Sequence, residues 1–373
     1  MKRVLGFVLI FVLLLSSLAL AEEVKVGVIF SMTGMASAFG QMTKEGLDLA
    51  YALKPEVLGK KIKVILLDDK SDKIEAANAA SRLIGKEKVS VILGPIISPN
   101  ALSVGPICER YKVPFVTPSA TNPLVTQGKK FAFRVCFVDD FQGFVMAKFA
   151  IENLKAKKAA VLFDKANDYS VALAKFFMDS FKKLTGDPKS IVYVGQYKSG
   201  DQDFTAQVVG VQNANPDVIF IPGFYSEIAL FAKQAREQGI KSPFLAGDAA
   251  QAPELLQIGK EAVENLYFST HFDPKAATTD VGKKFIKEFK AKYNKEPSAL
   301  AALGFDAYGV VWEAILRAGS LDPVKIRDEI AKTKGYKGAT GIINIDEHGN
   351  AIKSAVVLKV ENGTWKYVTT VNP

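Results

Sequence analysis

The stretch Val89–Pro123, VSVILGPIISPNALSVGPICERYKVPFVTPSATNP, decides the fold. Its first five residues, 89–93, form an apolar, β-branched run that stops at a Gly-Pro pair, as is typical of a buried strand. Ser98 precedes a proline and is a good N-cap, so a helix is predicted to begin there. A second apolar run, 113–116, predicts the next strand of the same sheet.

Polar residues follow both of these predicted strands. Ser98 lies after the first strand, and the segment 117–121 (TPSAT) lies after the second. Ligands of open α/β sheets bind just outside the carboxyl ends of the strands, and a helix start offers free N–H groups there. Either residue alone is explained by a cap or a turn, whereas the two loops together favour a site for an anion such as a carboxylate.

The rest of the chain repeats this alternation of strands and helices. One series runs from residue 24 to 154 and a second from 159 to 270, which predicts an α/β protein with two lobes built on parallel, doubly wound sheets. The segment 281–332 is helical in pattern, and the chain then becomes β-like up to residue 371. Pro106 is expected to kink or restart its helix.

Residues 1–21 predict a secretory signal peptide. A basic start precedes the apolar run 4–15, and Ala19-Leu20-Ala21 is a small-residue cleavage site. Cleavage near Ala21 leaves 352 of the 373 residues, which fits two domains. We therefore expect a soluble, exported protein that begins near Glu22.

Composition argues against several other classes of protein. Without Lys2 and Arg3 the formal charge falls from +9 to about +7, and the lysines are interleaved with acidic residues, so nucleic acid is not an expected partner. His271 and His348 lie in unrelated contexts, which argues against a histidine-based metal site or catalytic triad. No metal and no cofactor is predicted.

Two further features leave alternatives open. Cys108 and Cys136 could form a disulfide in an exported protein, but two buried free thiols are favoured. The pair Asp68-Asp69 ends a strand and lacks a third carboxylate at suitable spacing, so it is interpreted as a surface pair and not as a metal site.

Seven segments together carry a resemblance to a known family: VKVGVIFSMTGMASAFG, VILGPIIS, VPFVTPSATNP, FDKANDY, GFYSE, QAREQGI and FLAGDAA. In this order the chain resembles the periplasmic solute-binding proteins of ABC transporters, in the branch that binds leucine, isoleucine and valine. The resemblance implies two Rossmann-like lobes joined by three crossing segments, with the ligand in the cleft. Lobe one is expected from 22–140 plus 274–350, and lobe two from 141–273 plus 351–373.

The resemblance also implies how an amino acid would be held. Ser98 and Thr121 match the positions whose hydroxyl and N–H groups hold the ligand carboxylate, and Ala120 lies in the same binding loop. Ser119 matches the position whose carbonyl meets the ammonium group. Asp248 matches the acidic partner of that ammonium group, although an aspartate after a glycine is also a common turn residue.

Three aromatic residues complete the expected site. Tyr169 matches a tyrosine that reaches the ligand from lobe two. The alternative is that Tyr169 is a surface residue at the start of a helix. Phe39 and Phe224 fall where close relatives often carry tyrosines, so the pocket would be more apolar. The alternative is that both are core residues that do not contact a ligand.

We therefore expect a monomeric, non-enzymatic binding protein. It would capture an amino acid, branched-chain or otherwise apolar, in the periplasm and present it to an ABC permease. The alternative is the same fold binding an amide, urea, a small aromatic acid or a short peptide, which Asp248 disfavours. An NAD- or nucleotide-using enzyme is disfavoured because no GxGxxG follows a strand. In the empty cleft Asp248 is expected to be solvated.

Overall fold

The computed structural model describes residues 23–373, so the predicted signal peptide lies outside the described residues. The strands are β1 Val24–Phe30, β2 Glu56–Val57, β3 Lys60–Asp68, β4 Val91–Leu93, β5 Phe115–Thr117, β6 Ala132–Arg134, β7 Ala159–Asp164, β8 Ile191–Tyr197, β9 Val218–Ile221, β10 Phe244–Ala246, β11 Tyr267–Thr270, β12 Tyr336–Gly338, β13 Gly341–Ile345, β14 Ala351–Ile352, β15 Ala355–Glu361 and β16 Thr364–Val371. The α-helices are α1 Ser37–Leu53, α2 Lys73–Arg82, α3 Ser98–Tyr111, α4 Asp139–Glu152, α5 Asp168–Thr185, α6 Thr205–Ala214, α7 Tyr225–Glu237, α8 Pro253–Gly259, α9 Asp280–Tyr293, α10 Ala299–Ala318 and α11 Pro323–Ala331.

These strands form two large sheets and one small sheet. The first sheet has the order β2-β3-β1-β4-β5-β6 and is parallel except for β2. The second sheet has the order β16-β15-β11-β10-β9-β7-β8; β15 and β16 form an antiparallel hairpin at its edge. The predicted α/β class with mainly parallel sheets is confirmed, and β12–β14 add a small antiparallel sheet.

The chain passes three times between the two large sheets. The crossing segments are 135–138 after β6, 271–273 after β11, and 353–354 after β14. We call the part built on the first sheet lobe one and the part built on the second sheet lobe two. Helices α9 and α10 pack against α1 and so return the chain to lobe one.

Buried strands at the centre of both sheets position the loops of the cleft. In β4, β5, β9 and β10 every residue is buried, because helices cover both faces of a parallel sheet. The carboxyl ends of these strands therefore lie at one edge of each lobe. Pro106 does not restart its helix, since α3 runs without interruption and the proline lies on its exposed side.

Both cysteines are buried free thiols, as the sequence favoured. Burial raises the pKa of the Cys108 thiol, and it raises the pKa of Cys136 to about 12. These thiols are therefore protonated and unreactive in the folded protein.

Helix α10 is a core helix of lobe one. By length and apolar composition it could cross a membrane, yet 78% of its most apolar window is buried inside the fold. It approaches α1 so closely that a Cβ at Gly46 would lie 1.7 Å from the carbonyl oxygen of Ala301. Gly304 meets the carbonyl of Thr43 in the same way, so glycine is required where the two helix backbones touch.

We expect Gly46→Ala to destabilise the protein, because the new methyl group must push α10 away from α1. Overpacking of this kind costs roughly 1–3 kcal/mol, to be measured by denaturant unfolding. The control is Gly85→Ala, whose Cβ would meet nothing within 4 Å. If both variants unfold at the same denaturant concentration, the close helix contact is not a constraint on stability.

Candidate functional site

Two loops of lobe one are tied together at the carboxyl ends of β4 and β5. The hydroxyl of Ser119 donates to the carbonyl of Ile96 at 3.0 Å, and the Ser98 hydroxyl accepts from the backbone N–H of Asn122 at 3.2 Å. The prediction that Ser98 caps its helix is wrong, since the N-cap residue is Ile97 and no side chain caps the helix. Because its oxygen accepts from the neighbouring loop, the Ser98 O–H remains free to donate into the cleft.

Arg134 supports the second of these loops from below and was missed from the sequence. Its fully buried guanidinium donates to the carbonyl oxygens of Ala120 and Asn122 at 2.8 and 2.9 Å, and to the Thr126 hydroxyl at 3.2 Å. These charge-assisted bonds fix the backbone of the loop whose other face is turned to the cleft. An arginine at the end of a short, otherwise apolar strand is the one signal that the sequence offered.

Asp248 faces the cleft from lobe two, directly after β10, and three side chains hold its carboxylate. Gln142 Nε2 and the Tyr169 hydroxyl donate to Oδ1 at 2.9 and 3.0 Å, and His271 Nε2 lies 3.1 Å from Oδ2. With the lobes in contact its side chain is only 9% exposed; the expectation of a solvated Asp248 concerns the open, empty cleft and stays a prediction. Burial of a carboxylate requires such donors, and these residues supply them.

The protonation of the neighbouring groups follows from their burial. Burial raises the pKa of the Tyr169 hydroxyl well above its usual value, and the nearby Asp248 charge raises it further. Burial lowers the pKa of His271 although the Asp248 contact opposes this. Burial, and next the Asp248 charge, raise the pKa of Asp139 well above its usual value, which favours the neutral form of Asp139. Tyr169 and His271 therefore act as neutral donors to one carboxylate.

Apolar side chains from both lobes close the remaining walls of the cleft. Phe39 of α1 meets Phe224 of lobe two edge to face, with ring centroids 5.5 Å apart and planes at 87°. Ile96, Ile97 and Leu300 add aliphatic surface from lobe one. Phe39 and Phe224 therefore make this wall apolar, at the two positions where close relatives often carry tyrosine hydroxyls.

These groups enclose a cavity between the lobes whose empty volume, including its mouth, is about 340 Å³. Six of the eight residues expected at the site line it: Phe39, Ser98, Ser119, Tyr169, Phe224 and Asp248. Ala120 and Thr121 are buried in the loop behind Ser119 and do not line the cavity. Lobe one thus contributes the hydroxyls of Ser98 and Ser119 to the lining, lobe two contributes a carboxylate, and both lobes contribute apolar side chains.

Two direct hydrogen bonds join the lobes beside this cavity. The Tyr225 hydroxyl of lobe two donates to the carbonyl of Met35 at 2.8 Å, and Asn122 Nδ2 of lobe one donates to the carbonyl of Asp168 at 2.8 Å. The structure is therefore a closed form in which the lobes touch.

Other candidate positions take structural roles. Asp69 is fully buried and accepts from the Ser31 hydroxyl at 2.7 Å and the Ser71 N–H at 2.9 Å, so its interpretation as a surface residue is wrong. Its position at the end of β3 turns the side chain into the loop instead of out to solvent. Among residues 23–373, no group of three or more His, Cys, Asp or Glu side chains could hold a metal ion.

His271 was set aside in the sequence, yet it lies in the site. It is the first residue after β11, where the carboxyl end of a strand meets the cleft. Gln142, on the first turn of α4, was also missed. A buried histidine or glutamine directly after a strand, or at a helix start, is the signal that could have indicated them.

Two α/β lobes that enclose one cavity of this composition define a bilobed ligand-binding protein. The Periplasmic binding protein family matches residues 23–364, and the chain belongs to this family. Its proteins are periplasmic solute-binding proteins and not enzymes, and the resemblance seen in the sequence is confirmed.

Named relatives are similar over nearly the whole chain. A leucine-, isoleucine-, valine-, threonine-, and alanine-binding protein of Pseudomonas aeruginosa is 29% identical over 338 residues, which cover 88% of this chain and 87% of its own. A leucine binding protein of Thermotoga maritima is 53% identical with a TM-score of 0.91, covering 94% of this chain and 99% of its own. A branched-chain amino acid transporter substrate binding protein of Streptococcus pneumoniae, in complex with isoleucine, is 32% identical with a TM-score of 0.88, covering 94% and 100%.

We expect Tyr225→Phe to favour opening of the lobes, because it removes one hydrogen bond between them. Such a bond contributes about 0.5–1.5 kcal/mol, so the closed-to-open ratio should fall roughly two- to tenfold. Small-angle X-ray scattering of the ligand-free protein would show a larger radius of gyration. Tyr111→Phe, at a tyrosine that is 52% exposed, is the control; equal radii for all three proteins would contradict this role.

Proposed function

We propose that this protein captures an amino acid with an apolar, branched-chain side chain in the periplasm and presents it to the permease of an ABC transporter. The observation that supports this most directly is the position of Asp248. Its carboxylate faces the cavity from lobe two, across from the hydroxyls of Ser98 and Ser119 in lobe one. An α-amino acid is a zwitterion and needs a negative partner for its ammonium group and donors for its carboxylate.

The proposed ligand carboxylate lies against the loops after β4 and β5. Ser98 holds it through its hydroxyl, Thr121 supports the loop from behind Ser119, and the Ser119 carbonyl meets the ammonium group together with Asp248. Arg134 fixes the loop backbone and so keeps these groups in place before the ligand arrives. Preorganised donors bind an anion more tightly because little ordering is left for the binding step.

The apolar walls favour an aliphatic side chain on this ligand. Phe39 and Phe224 meet over the cavity, and Leu300 and Ile97 add surface without a polar group. A charged or amide side chain would lose its water there without a compensating partner. A relative named for leucine, isoleucine, valine, threonine and alanine, and a branched-chain amino acid binding protein in complex with isoleucine, agree with this choice.

A thermal-shift screen against the twenty amino acids tests the proposal. A bound ligand raises stability by RT ln(1 + [L]/Kd), about 2.7 kcal/mol at a hundredfold excess over Kd. We expect leucine, isoleucine and valine to raise the melting temperature most. Stabilisation by urea, amides or benzoate, with none by amino acids, would support the alternative ligands.

Asp248→Asn separates an amino acid from a neutral ligand. The amide keeps the size of the side chain and removes its charge, so the ligand ammonium is left without a charged partner in a cleft that excludes water. By analogy with a broken buried ion pair, at roughly 3–5 kcal/mol, affinity measured by calorimetry should fall at least a hundredfold.

Asp179→Asn serves as the control, because it removes the same charge from an exposed position on α5 of lobe two. Melting curves of both ligand-free variants show whether folding is affected. If Asp248→Asn binds leucine as the unmodified protein does, the ligand does not place an ammonium group at Asp248.

Ser98→Ala and Thr121→Ala test the carboxylate end of the site. A hydrogen bond to a charged group contributes roughly 1.5–3 kcal/mol, so Ser98→Ala should lose tenfold or more in affinity for leucine. Thr121→Ala should lose less, because Thr121 lies behind the loop and does not line the cavity. Ser103→Ala, on the next turn of α3 with its hydroxyl on the Asn100 carbonyl, is the matched control. Unchanged affinity in Ser98→Ala would rule out this anion site.

A further inference from the structure

His271 connects the acidic group of the cleft to a crossing segment. It begins the second crossing segment, its side chain is 1% exposed, and its Nε2 lies 3.1 Å from Asp248 Oδ2. A carboxylate only accepts hydrogen bonds, so Nε2 carries the proton. Nδ1 has no hydrogen-bond partner among residues 23–373.

The donors divide unevenly between the two oxygens of Asp248. Oδ1 accepts from Gln142 and Tyr169, whereas Oδ2 has His271. A carboxylate offers about four acceptor positions, so these three donors leave about one, on the Oδ2 side. The direction in which His271 holds Oδ2 thus decides where an incoming ammonium group can bind.

The face of the imidazole packs on another crossing segment. Phe137, in the first crossing segment, lies with its ring centroid 3.8 Å from that of His271 and its plane tilted by 32°. Both rings are almost completely buried. His271 therefore has a fixed orientation that depends on two of the three segments about which the lobes would move.

We propose that His271 is a positioning residue, which aims the free acceptor of Asp248 at the ligand ammonium and links it to the crossing segments through Phe137. This inference rests on the proposed function, since it concerns the same Asp248 contact. It assigns a role to a side chain that need not touch the ligand.

The charge state of His271 gives this role a measurable signature. The titratable groups that act on His271 are Asp248 after β10 and Lys353 in the third crossing segment. Asp139 on α4, Tyr169 on α5 and Cys136 in the first crossing segment lie near Asp248. Burial lowers the pKa of His271, Asp248 opposes this shift, and the Lys353 charge adds to it. His271 is therefore neutral at pH 7.5, and it gains a proton only at a pH below the ordinary range of a histidine pKa.

A charged His271 would compete with the ligand for the same carboxylate. Below the pKa of His271 its imidazolium pairs with Asp248, and an ammonium group bound alongside would be repelled. Ligand binding then requires loss of that proton, so affinity falls as the pH is lowered. A side chain that only fills space would give no such dependence.

The experiment compares His271→Gln and His271→Leu with the unmodified protein, by calorimetry with leucine between pH 8 and pH 5. Glutamine keeps an amide N–H near the Nε2 position but cannot gain a charge, and leucine keeps apolar volume without a donor. At pH 7.5 we expect His271→Gln to bind within about threefold of the unmodified protein and His271→Leu to lose tenfold or more, the size of a lost bond to a charged group.

The pH profile separates positioning from packing. The unmodified protein and His348→Gln, at the exposed histidine, should lose affinity toward pH 5, and His271→Gln should lose at least threefold less over the same range. Unchanged affinity of His271→Leu, equal weakening in both His271 variants, or an unaltered pH profile in His271→Gln would overturn the inference. If the His271 variants contradict the inference but Asp248→Asn still loses binding, the inference fails and the proposed function survives. If the unmodified protein binds no amino acid, the inference and the proposed function both fail.

Discussion

A carboxylate that is largely withdrawn from water is the constraint on which the cleft depends. Asp248 can remain there only because Gln142, Tyr169 and His271 donate to it, and each of these side chains comes from a different element of the chain. Burial keeps Tyr169 and His271 neutral, so they solvate the charge without cancelling it. The site therefore presents a net negative group at one end, which a ligand ammonium group can neutralise.

The opposite end of the cleft is built on a different principle. Lobe one brings hydroxyls and backbone groups from two loops. The positively charged Arg134 lies behind the second of these loops and donates hydrogen bonds to its carbonyl groups. A ligand that satisfies both ends must bridge the lobes. Closure then depends on how much more strongly the ligand binds the closed form than the open one.

The sequence predicted the elements well because apolar runs and Gly-Pro breaks are local signals. It predicted Asp248 through the order of several motifs. Side-chain partners were harder: Ser98 looked like a cap because a proline follows it, whereas its partner, Asn122, lies 24 residues further on. Arg134 and His271 act through groups that only the packed sheets bring near. Their positions at strand ends were a local signal, but neither spacing nor periodicity could indicate their partners.

Direct contacts between the lobes, which do not involve the ligand, also favour closing. Phe39 and Phe224 meet edge to face across the cleft, an arrangement that contributes about 0.5–1.5 kcal/mol beyond the apolar area it buries. Tyr225 adds a hydrogen bond from lobe two to lobe one. These contacts are lost when the lobes separate, so they raise the population of the closed form even before binding. A more populated closed form brings the apparent affinity nearer to its intrinsic value, while the polar ends of the cavity still decide which ligand it accepts.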